Sequence, residues 1–401
     1  MKKLQNILVK LRNYKGTIIV CALVITLILA KVFTMPRRCL EHGSFESEKT
    51  DILQRRNFLL NKLITTPQEA LDLMPRSVGA QFQGEWALYS CSMLSASLVN
   101  ISKLYPETKT ENIKHIEQLI DIVISPELRE YDAMRWCEDP LESLDSEDSH
   151  VSYLSHLAWM ICGYKEIGGG SQYDELLKSI CDAMCRRMVH SECLNLPTYP
   201  GEPIYIPDML VAIVALQKYS DLHNGEYSLT VEQWLERAKT EWIDSKTGLL
   251  VSFLDYDGMQ FSQAPIKGSY SALNCYYLTF IDEVFAKEQY ERLKSLFWND
   301  GAIAGLKEYS DRSPLVAMDI DAGPILFGLS PSGTAFFTGS ATYFEDTMAR
   351  NKILRTAELA GSTIKIGDKR HYLLADIALV GEAIMLAMRT NVKIISQQIL
   401  Y

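Results

Sequence analysis

Along most of the chain apolar residues return every three to four positions, the spacing of a helix that buries one face. The pattern holds over about a dozen stretches, 52–63, 81–104, 111–126, 151–165, 172–190, 208–220, 229–243, 270–285, 287–298, 324–342, 347–359 and 371–388. Breakers fall between them: Pro106 ends the second, Ser125-Pro126 the third and Gly168-Gly169-Gly170 the fourth, while Pro207-Asp208 opens the sixth. The run Leu249 to Leu254 is too short for a helix and predicts a strand that turns at Asp257-Gly258 and returns through Met259–Phe261. About twelve antiparallel helices, with longer loops between several of the pairs, predict an all-α fold: an (α/α)6 toroid with one small β-hairpin. An open helical solenoid is the rival, and no repeat of fixed period favours it.

The first residues have a different pattern. Gly16 to Thr34 carries a single charge, Lys31, near its end. As a helix it would reach ~28 Å, close to the hydrocarbon thickness of a bilayer. Thr17 to Ala30 also has the length of a signal-peptide core, but Lys31, Val32, Phe33 and Pro36 occupy the place of a small-x-small cleavage site. The expectation is one transmembrane helix ahead of the barrel, dividing the chain into a basic tail (1–15), an anchor (16–34), a linker (35–50) and the toroid (51–401). Five basic residues precede the apolar stretch and three lie at or after its end, which predicts the N-terminus inside and the domain outside the cytoplasmic membrane, periplasmic or extracellular.

Charge narrows the partners. The whole chain carries −10, but residues 1–38 hold eight basic residues and no acid, so the remainder carries −18. A surface that acidic argues against nucleic acid and other phosphate-rich partners. The nine cysteines do not form a disulfide framework: Cys91, Cys162 and Cys275 stand in apolar helical context. Cys181, Cys185 and Cys193 are close enough for one disulfide or a soft-metal site, but no further ligand completes a zinc spacing, and neither a metal nor another cofactor is expected.

Chemistry is expected at acids that start helices or sit among aromatics. Asp208, after Pro207, is either a buried proton-transfer group or the N-cap of its helix. In an extended segment Asp319 and Asp321 share one side with Ile320 opposite, ahead of Gly323-Pro324, and so could share a proton or hold sugar hydroxyls; otherwise Asp321 caps the helix predicted from Pro324. Glu85 beside Trp86 combines a carboxylate with an aromatic platform suited to a sugar ring, or is a first-turn acid beside a core Trp. His156, with Tyr153 a turn before it and Trp159 and Met160 a turn after, is a site histidine or a core one. The loop Cys137 to His150 holds six acids, of which Asp145, Glu147 or Asp148 could reach a pocket; Asp255 and Asp257 are turn residues.

Arg135-Trp136 and an acidic loop, then Tyr153-Leu-Ser-His156-Leu, Tyr205-Ile-Pro-Asp208-Met-Leu-Val-Ala, Gly268-Ser-Tyr270-Ser-Ala and Met318–Gly339 follow one another in an order that resembles the linalool dehydratase/isomerase family. The resemblance implies an (α/α)6 barrel, His156 as an active-site histidine and Tyr270 as an active-site tyrosine. It places the family's cysteine pair on Tyr199 and Asp208, neither of which is a thiol, so altered chemistry in the same pocket is implied. Taken together, these residues predict an acid/base enzyme on a small-molecule or glycan substrate: Asp208, Asp319, Asp321, His156 and Glu85 for catalysis, and Trp86, Tyr153, Tyr199, Tyr205 and Tyr270 for binding. Hydrolysis, epimerisation or elimination on a saccharide comes first. A hydro-lyase or isomerase on a terpenoid-type alcohol is second, and a non-catalytic glycan-binding or envelope-assembly protein third.

Overall fold

The computed structural model describes residues 45–393 except 262, 263 and 312, and, of 22–30, all but 24 and 28. In chain order the helices are α1 (Phe45–Leu63), the short α2 (Pro67–Asp72), α3 (Ala80–Leu104), α4 (Lys109–Ile124), α5 (Pro126–Trp136), α6 (Val151–Glu166), α7 (Asp174–His190), α8 (Ile206–Leu222), α9 (Ser228–Thr240), α10 (Gly268–Leu278), α11 (Glu283–Phe297), α12 (Pro331–Tyr343), α13 (Thr347–Gly361) and α14 (Leu379–Arg389). Helices α3, α6, α8, α10, α12 and α14 each pack on the next, and α14 returns to α3. These six form a closed inner ring. Outside it lie α4, α7, α9, α11, α13 and α1, which completes the (α/α)6 arrangement.

Burial separates the two rings. In α8 every residue from Met209 to Leu216 is buried, and α6 is buried from Val151 through Tyr164, because an inner helix is covered by neighbours on both sides and by an outer helix behind. Outer helix α4 instead buries a stripe, Ile116, Leu119, Ile120 and Val123, and leaves its other face polar. The inner helices also carry buried serines, some of which bond back to their own helix. In α3, Ser90, Ser97 and Ser102 donate to the carbonyls of Trp86, Leu94 and Leu98, all at 2.7 Å.

The inner helices all run the same way. Ser152 at the start of α6 meets Tyr199 just ahead of α8 (3.0 Å), whereas Glu166 at the end of α6 meets Lys103 at the end of α3 (2.5 Å) and Lys218 near the end of α8 (2.8 Å). Connections at the two ends differ accordingly. Inner helices pass to outer ones through short turns such as 105–108, 279–282 and 344–346, while the returns, 191–205, 241–267, 298–330 and 362–378, are long and carry the strands. Four antiparallel pairs occur there: β1 (Ile204–Tyr205) with β2 (Phe253–Leu254), β3 (Trp298–Asn299) with β4 (Gly305–Leu306), β5 (Val316–Asp319) with β6 (Gly323–Leu326), and β7 (Thr363–Ile366) with β8 (Lys369–Tyr372).

The twelve expected helices are present, joined by the unexpected α2 and α5; the last, expected over 371–388, begins only at Leu379 because His371 and Tyr372 pair in β8, and three further changes stand out. First, α1 starts at Phe45, inside the expected linker, because its polar first turns are held by ion pairs instead of an apolar stripe: Glu48 to Arg350, and Lys49 to Glu107 at 2.7 Å. Those partners place Phe45 at the end of the barrel where inner helices terminate. Second, the stretch 324–342 is not one helix. Pro324 lies in β6, and the helix begins at Pro331 with Ser330 accepting from the Gly333 N–H at 3.0 Å. Third, residues 249–261 form only part of the expected hairpin. Asp255 turns the chain, and Leu254 bridges Gln260, but Phe253 pairs across to Tyr205. Most of the proposed anchor, 16–34, lies outside the described residues; those described within 22–30 are helical, and no helix among the described residues is long and apolar enough to cross a membrane.

Ring closure is fastened by buried charge. Arg55 of α1 donates to Glu382 of α14 at 2.7 Å, and Asp51 takes Arg389 at 2.6 Å and Arg370 at 3.0 Å. Burial opposes the Asp51 charge, but Arg389 and Arg55 overcome it and hold its carboxyl below the usual range. The Arg55 and Glu382 side chains are only 4% and 1% exposed, so neither charge has water to fall back on. Glu382→Ala should therefore cost about 1.5–3 kcal/mol of stability, read as a lowered denaturation midpoint, because the buried Arg55 loses one charged partner and keeps Asp51, at 3.0 Å. A midpoint within error of the parent would show that the cluster does not hold the ring.

Candidate active site

Because the inner helices share one direction, residues near their starts are gathered at one end beneath the long loops. Glu85 lies in the second turn of α3, Ser152 opens α6, Asp208 is the third residue of α8 and Tyr270 the third of α10. Gly84 lets α5 approach: a Cβ there would stand 2.5 Å from the Cβ of Tyr131.

Each carboxyl group has its own hydroxyl donors. Tyr199 donates to Glu85 Oε2 at 3.1 Å, and its oxygen lies 3.0 Å from Ser152 Oγ. The preceding residue, Thr198, donates to Asp208 Oδ2 at 2.7 Å, and Tyr89 to Asp208 Oδ1 at 3.4 Å. Tyr89 is one turn beyond Glu85 on α3, so one helix face serves both acids. Asp208 therefore spends its carboxylate on neighbouring side chains instead of capping its own helix.

Glu85, Tyr89 and Asp208 are crowded by protein yet only half-buried, as befits the wall of a concave site. Burial, reinforced by the charges of Asp208 and Asp321, pushes the Glu85 carboxyl up to about 8, against the pull of its Tyr199 bond. Burial also raises Asp208, to about 6, although its bonds from Thr198 and Tyr89 oppose the shift. Between those values one carboxyl group is protonated and the other ionised.

Asp319 and Asp321 both face this end of the barrel, but not as an extended pair. Asp319 closes β5, and Asp321 lies in the turn before β6, where its N–H and that of Ala322 donate to Asp319 Oδ1, each at 2.9 Å. Lys267 binds Asp319 at 2.9 Å and approaches Asp321 at 3.6 Å, and Tyr270 donates to Asp321 Oδ2 at 2.8 Å. The two acids thus converge on a lysine instead of sharing a proton. Beneath the hairpin Glu308 is fully buried, accepting from Ser269 Oγ at 2.9 Å, and burial pushes it up to about 7.

Other expected residues lie elsewhere. Tyr153 is sealed in the core, its hydroxyl donated to the Val123 carbonyl at 2.9 Å, where it ties α6 to α4. His156 is also fully buried, behind Tyr89 (ring centroids 4.3 Å apart) and with Nδ1 2.9 Å from Ser92 Oγ; burial pushes it down to about 3, so it stays neutral. Trp86 packs against the hydrophobic core. Asp145, Glu147 and Asp148 are exposed, and Glu147 pairs with His190 at 3.1 Å. Cys181, Cys185 and Cys193 are free thiols, and among the described residues no group of three or more His, Cys, Asp or Glu is placed to hold a metal ion. Sequence reasoning passed over Tyr89, Thr198, Lys267 and Glu308. The i, i+4 spacing of Glu85 and Tyr89, and the lone cation before Gly268, were the available signals.

At the opposite end a small crevice lies between Asn100, Trp159 and Phe280. Its acid, Glu166, is disfavoured by burial but held down to about 2 by Lys218 and Lys103. A carboxylate so firmly paired has no proton to exchange near neutrality, which leaves the acid/base chemistry to the other end.

The barrel, with its long loops at one end, can be set beside known structures. Its relatives in fold are hydrolases of sugars. A glycoside hydrolase of family 105 from C. acetobutylicum ATCC 824 superposes with a TM-score of 0.51 at 11% identity, covering 75% of this chain and 92% of the other. An unsaturated glucuronyl hydrolase specific for heparin gives 0.52 at 10% identity, covering 88% and 97%. At such identity the likeness concerns the fold. No protein-family model matches the chain, and no curated protein matches its sequence. The resemblance to linalool dehydratase/isomerase is thereby corrected: the neighbours are sugar hydrolases, and the Tyr153/His156 motif that suggested it is inner-helix packing.

If Asp208 raises Glu85 by its charge, Asp208→Asn should lower the Glu85 titration from about 8 toward the ordinary glutamate range. Carbon-13 NMR of the glutamate carboxyls would follow it. An unchanged midpoint would mean the two groups do not sense each other.

Proposed function

We propose that the chain is a saccharide-processing hydrolase in which Glu85 is the general acid and Asp208 the general base or nucleophile. The observation that carries this is the carboxyl pair itself: two acids from different inner helices, held by tyrosine and threonine hydroxyls, with proton affinities separated to about 8 and about 6. Two carboxyl groups in opposite protonation states are what acid-assisted cleavage of a glycosidic bond requires.

In this mechanism protonated Glu85 donates to the departing glycosidic oxygen as the C–O bond breaks. Asp208 removes a proton from the attacking water, or attacks the sugar carbon and is later released by water. Tyr199 keeps the Glu85 carboxyl oriented, and Thr198 does the same for Asp208. Lys267 holds the Asp319–Asp321 turn against the site, where Asp321 and Tyr270 offer hydrogen bonds to sugar hydroxyls.

Two further observations support sugar over an apolar alcohol. The site is lined by tyrosine and carboxyl groups instead of Phe, Leu and Met, and the fold neighbours are described as a glycoside hydrolase and a glucuronyl hydrolase. A purely binding or assembly role has less support, since Glu85, Asp208, Tyr270 and Asp321 come together at one end instead of scattering. We also place the domain outside the cytoplasmic membrane, on the strength of the basic tail and the apolar stretch 16–34; cleavage of the domain by protease added to intact spheroplasts is the expected result, and full protection would refute it.

The pH dependence has a definite sign. Below about 6 Asp208 takes up a proton and the base is lost; above about 8 Glu85 gives up its proton and the acid is lost. The profile of kcat/KM should be a bell between these limits, belonging to the coupled pair. Glu85→Gln and Asp208→Asn should each lower kcat/KM by roughly 10²–10⁴-fold on a panel of neutral and acidic oligosaccharides. Turnover at the parent rate in both variants would exclude the assignment.

A further inference from the structure

A row of aromatic rings leads away from the carboxyl groups to the surface. Tyr205 stands three residues before Asp208 and pairs across the β1–β2 ladder with Phe253, their rings 5.8 Å apart and edge to face. Tyr270, whose hydroxyl binds Asp321, meets both rings, at 6.0 Å from Tyr205 and 5.7 Å from Phe253. Phe261 continues the row 6.5 Å beyond Phe253 and is 43% exposed. Tyr205, Phe253 and Tyr270 are each only half-buried, so the row is not a closed core: one side faces solvent beside the candidate site.

Planar charged groups flank it. Arg135 stacks on Tyr199 with its guanidinium 3.7 Å from the ring centre and donates to Glu202 at 2.8 Å, and burial together with the Glu202 charge pushes the Tyr205 hydroxyl up. A pyranose has an apolar C–H face and a rim of hydroxyls. Aromatic faces answer the first, and a guanidinium–carboxylate pair answers the second. Tyr205, Phe253 and Phe261 make no hydrogen bond to either carboxyl group, and Tyr205, three residues before Asp208, joins the row to the candidate site.

We infer that Tyr205, Phe253 and Phe261, with the Arg135–Glu202 pair, form a second sugar subsite, and that the substrate is an oligosaccharide of at least two units. This rests on the saccharide reading of the carboxyl pair and deepens it: the outer unit supplies binding energy that holds the scissile bond between Glu85 and Asp208.

The test compares methyl monoglycosides with the matching methyl di- and trisaccharides of glucose, xylose, galactose, N-acetylglucosamine and the uronates, followed by chromatography. For the sugar turned over fastest, kcat/KM should rise on the order of tenfold or more from the monoglycoside to the trisaccharide, and Phe261→Ala should cut that ratio by roughly tenfold. Val284→Ala, which removes an apolar side chain 82% exposed on outer helix α11, should leave the ratio unchanged. A parent ratio near one, or a ratio that Phe261→Ala does not alter, overturns the subsite. Should the protein turn over no sugar at all, the hydrolase reading fails on its own, and binding to an array of the same saccharides decides the subsite: capture of di- and trisaccharides that Phe261→Ala abolishes supports it, and absence of capture overturns it.

Discussion

Everything about this protein depends on α14 finding α3. A ring of inner helices has no edge, so each apolar face is covered only when the last helix meets the first, and here they belong to opposite ends of the sequence. The buried cluster of Asp51, Arg55, Glu382 and Arg389 ties α14 to α1, the outer helix that packs on both sides of this seam. Such a cluster contributes less net stability than apolar packing would, but its geometry admits one register, with Asp51 opposite Arg389 and Arg55 opposite Glu382. Because the inner helices of the closed ring also run one way, the starts of α3, α6, α8 and α10 come to the same height.

That common height makes a site out of residues that are unremarked singly. Glu85 and Asp208 are on helices far apart in sequence, yet the ring sets them as neighbours, and the polar residues at hand are hydroxyls instead of cations. Had Lys267 stood beside Asp208 in place of Thr198, the carboxylate would be fixed in its ionised form, as Glu166 is between Lys103 and Lys218 at the other end. The same residue type is therefore inert at one mouth and poised near neutrality at the other, according to what donates to it.

How much of this was legible in the sequence varies with the physical range of the signal. Helices were legible because an inner helix buried on most sides and an outer helix with one stripe both keep the 3.6-residue period, and the junctions are marked by Pro and Gly. The β5–β6 hairpin was not. Gly323-Pro324-Ile325-Leu326 reads as the approach to an apolar helix, and only the cross-strand partners Val316 and Met318, which no local period reveals, make it a strand. Among the candidate-site residues, Glu85 and Asp208 stood out as acids near helix starts, where capping was the rival use, whereas Tyr199 and Tyr270 were named only through the family likeness. Tyr153 and His156 misled for the opposite reason: polar tips on a buried helix, one spent on a backbone carbonyl and the other on a serine, look the same in a string of letters as groups that face a cavity. The family likeness rested on them together with Tyr205–Ala212, Gly268–Ala272 and Met318–Gly339, and short segments in a shared order do not fix a family when the fold neighbours are sugar hydrolases.

The starting point of α1 bears on how the molecule would sit in a cell. Phe45 lies where inner helices end, beside Glu107 and Arg389, so the chain reaches the barrel on the side away from Glu85 and Asp208. Residues 35–44 span no more than roughly 35 Å even when fully drawn out, about half as much again as the ~24 Å height of a sixteen-residue inner helix such as α6, which limits how far this side of the barrel can lie from residues 16–34. A domain moored through residues 16–34 would stand on the bilayer like a cup on its base, rim outward. The face nearest such an anchor would then be the one that carries Lys103, Glu166 and Lys218, with the candidate carboxyl pair at the far end.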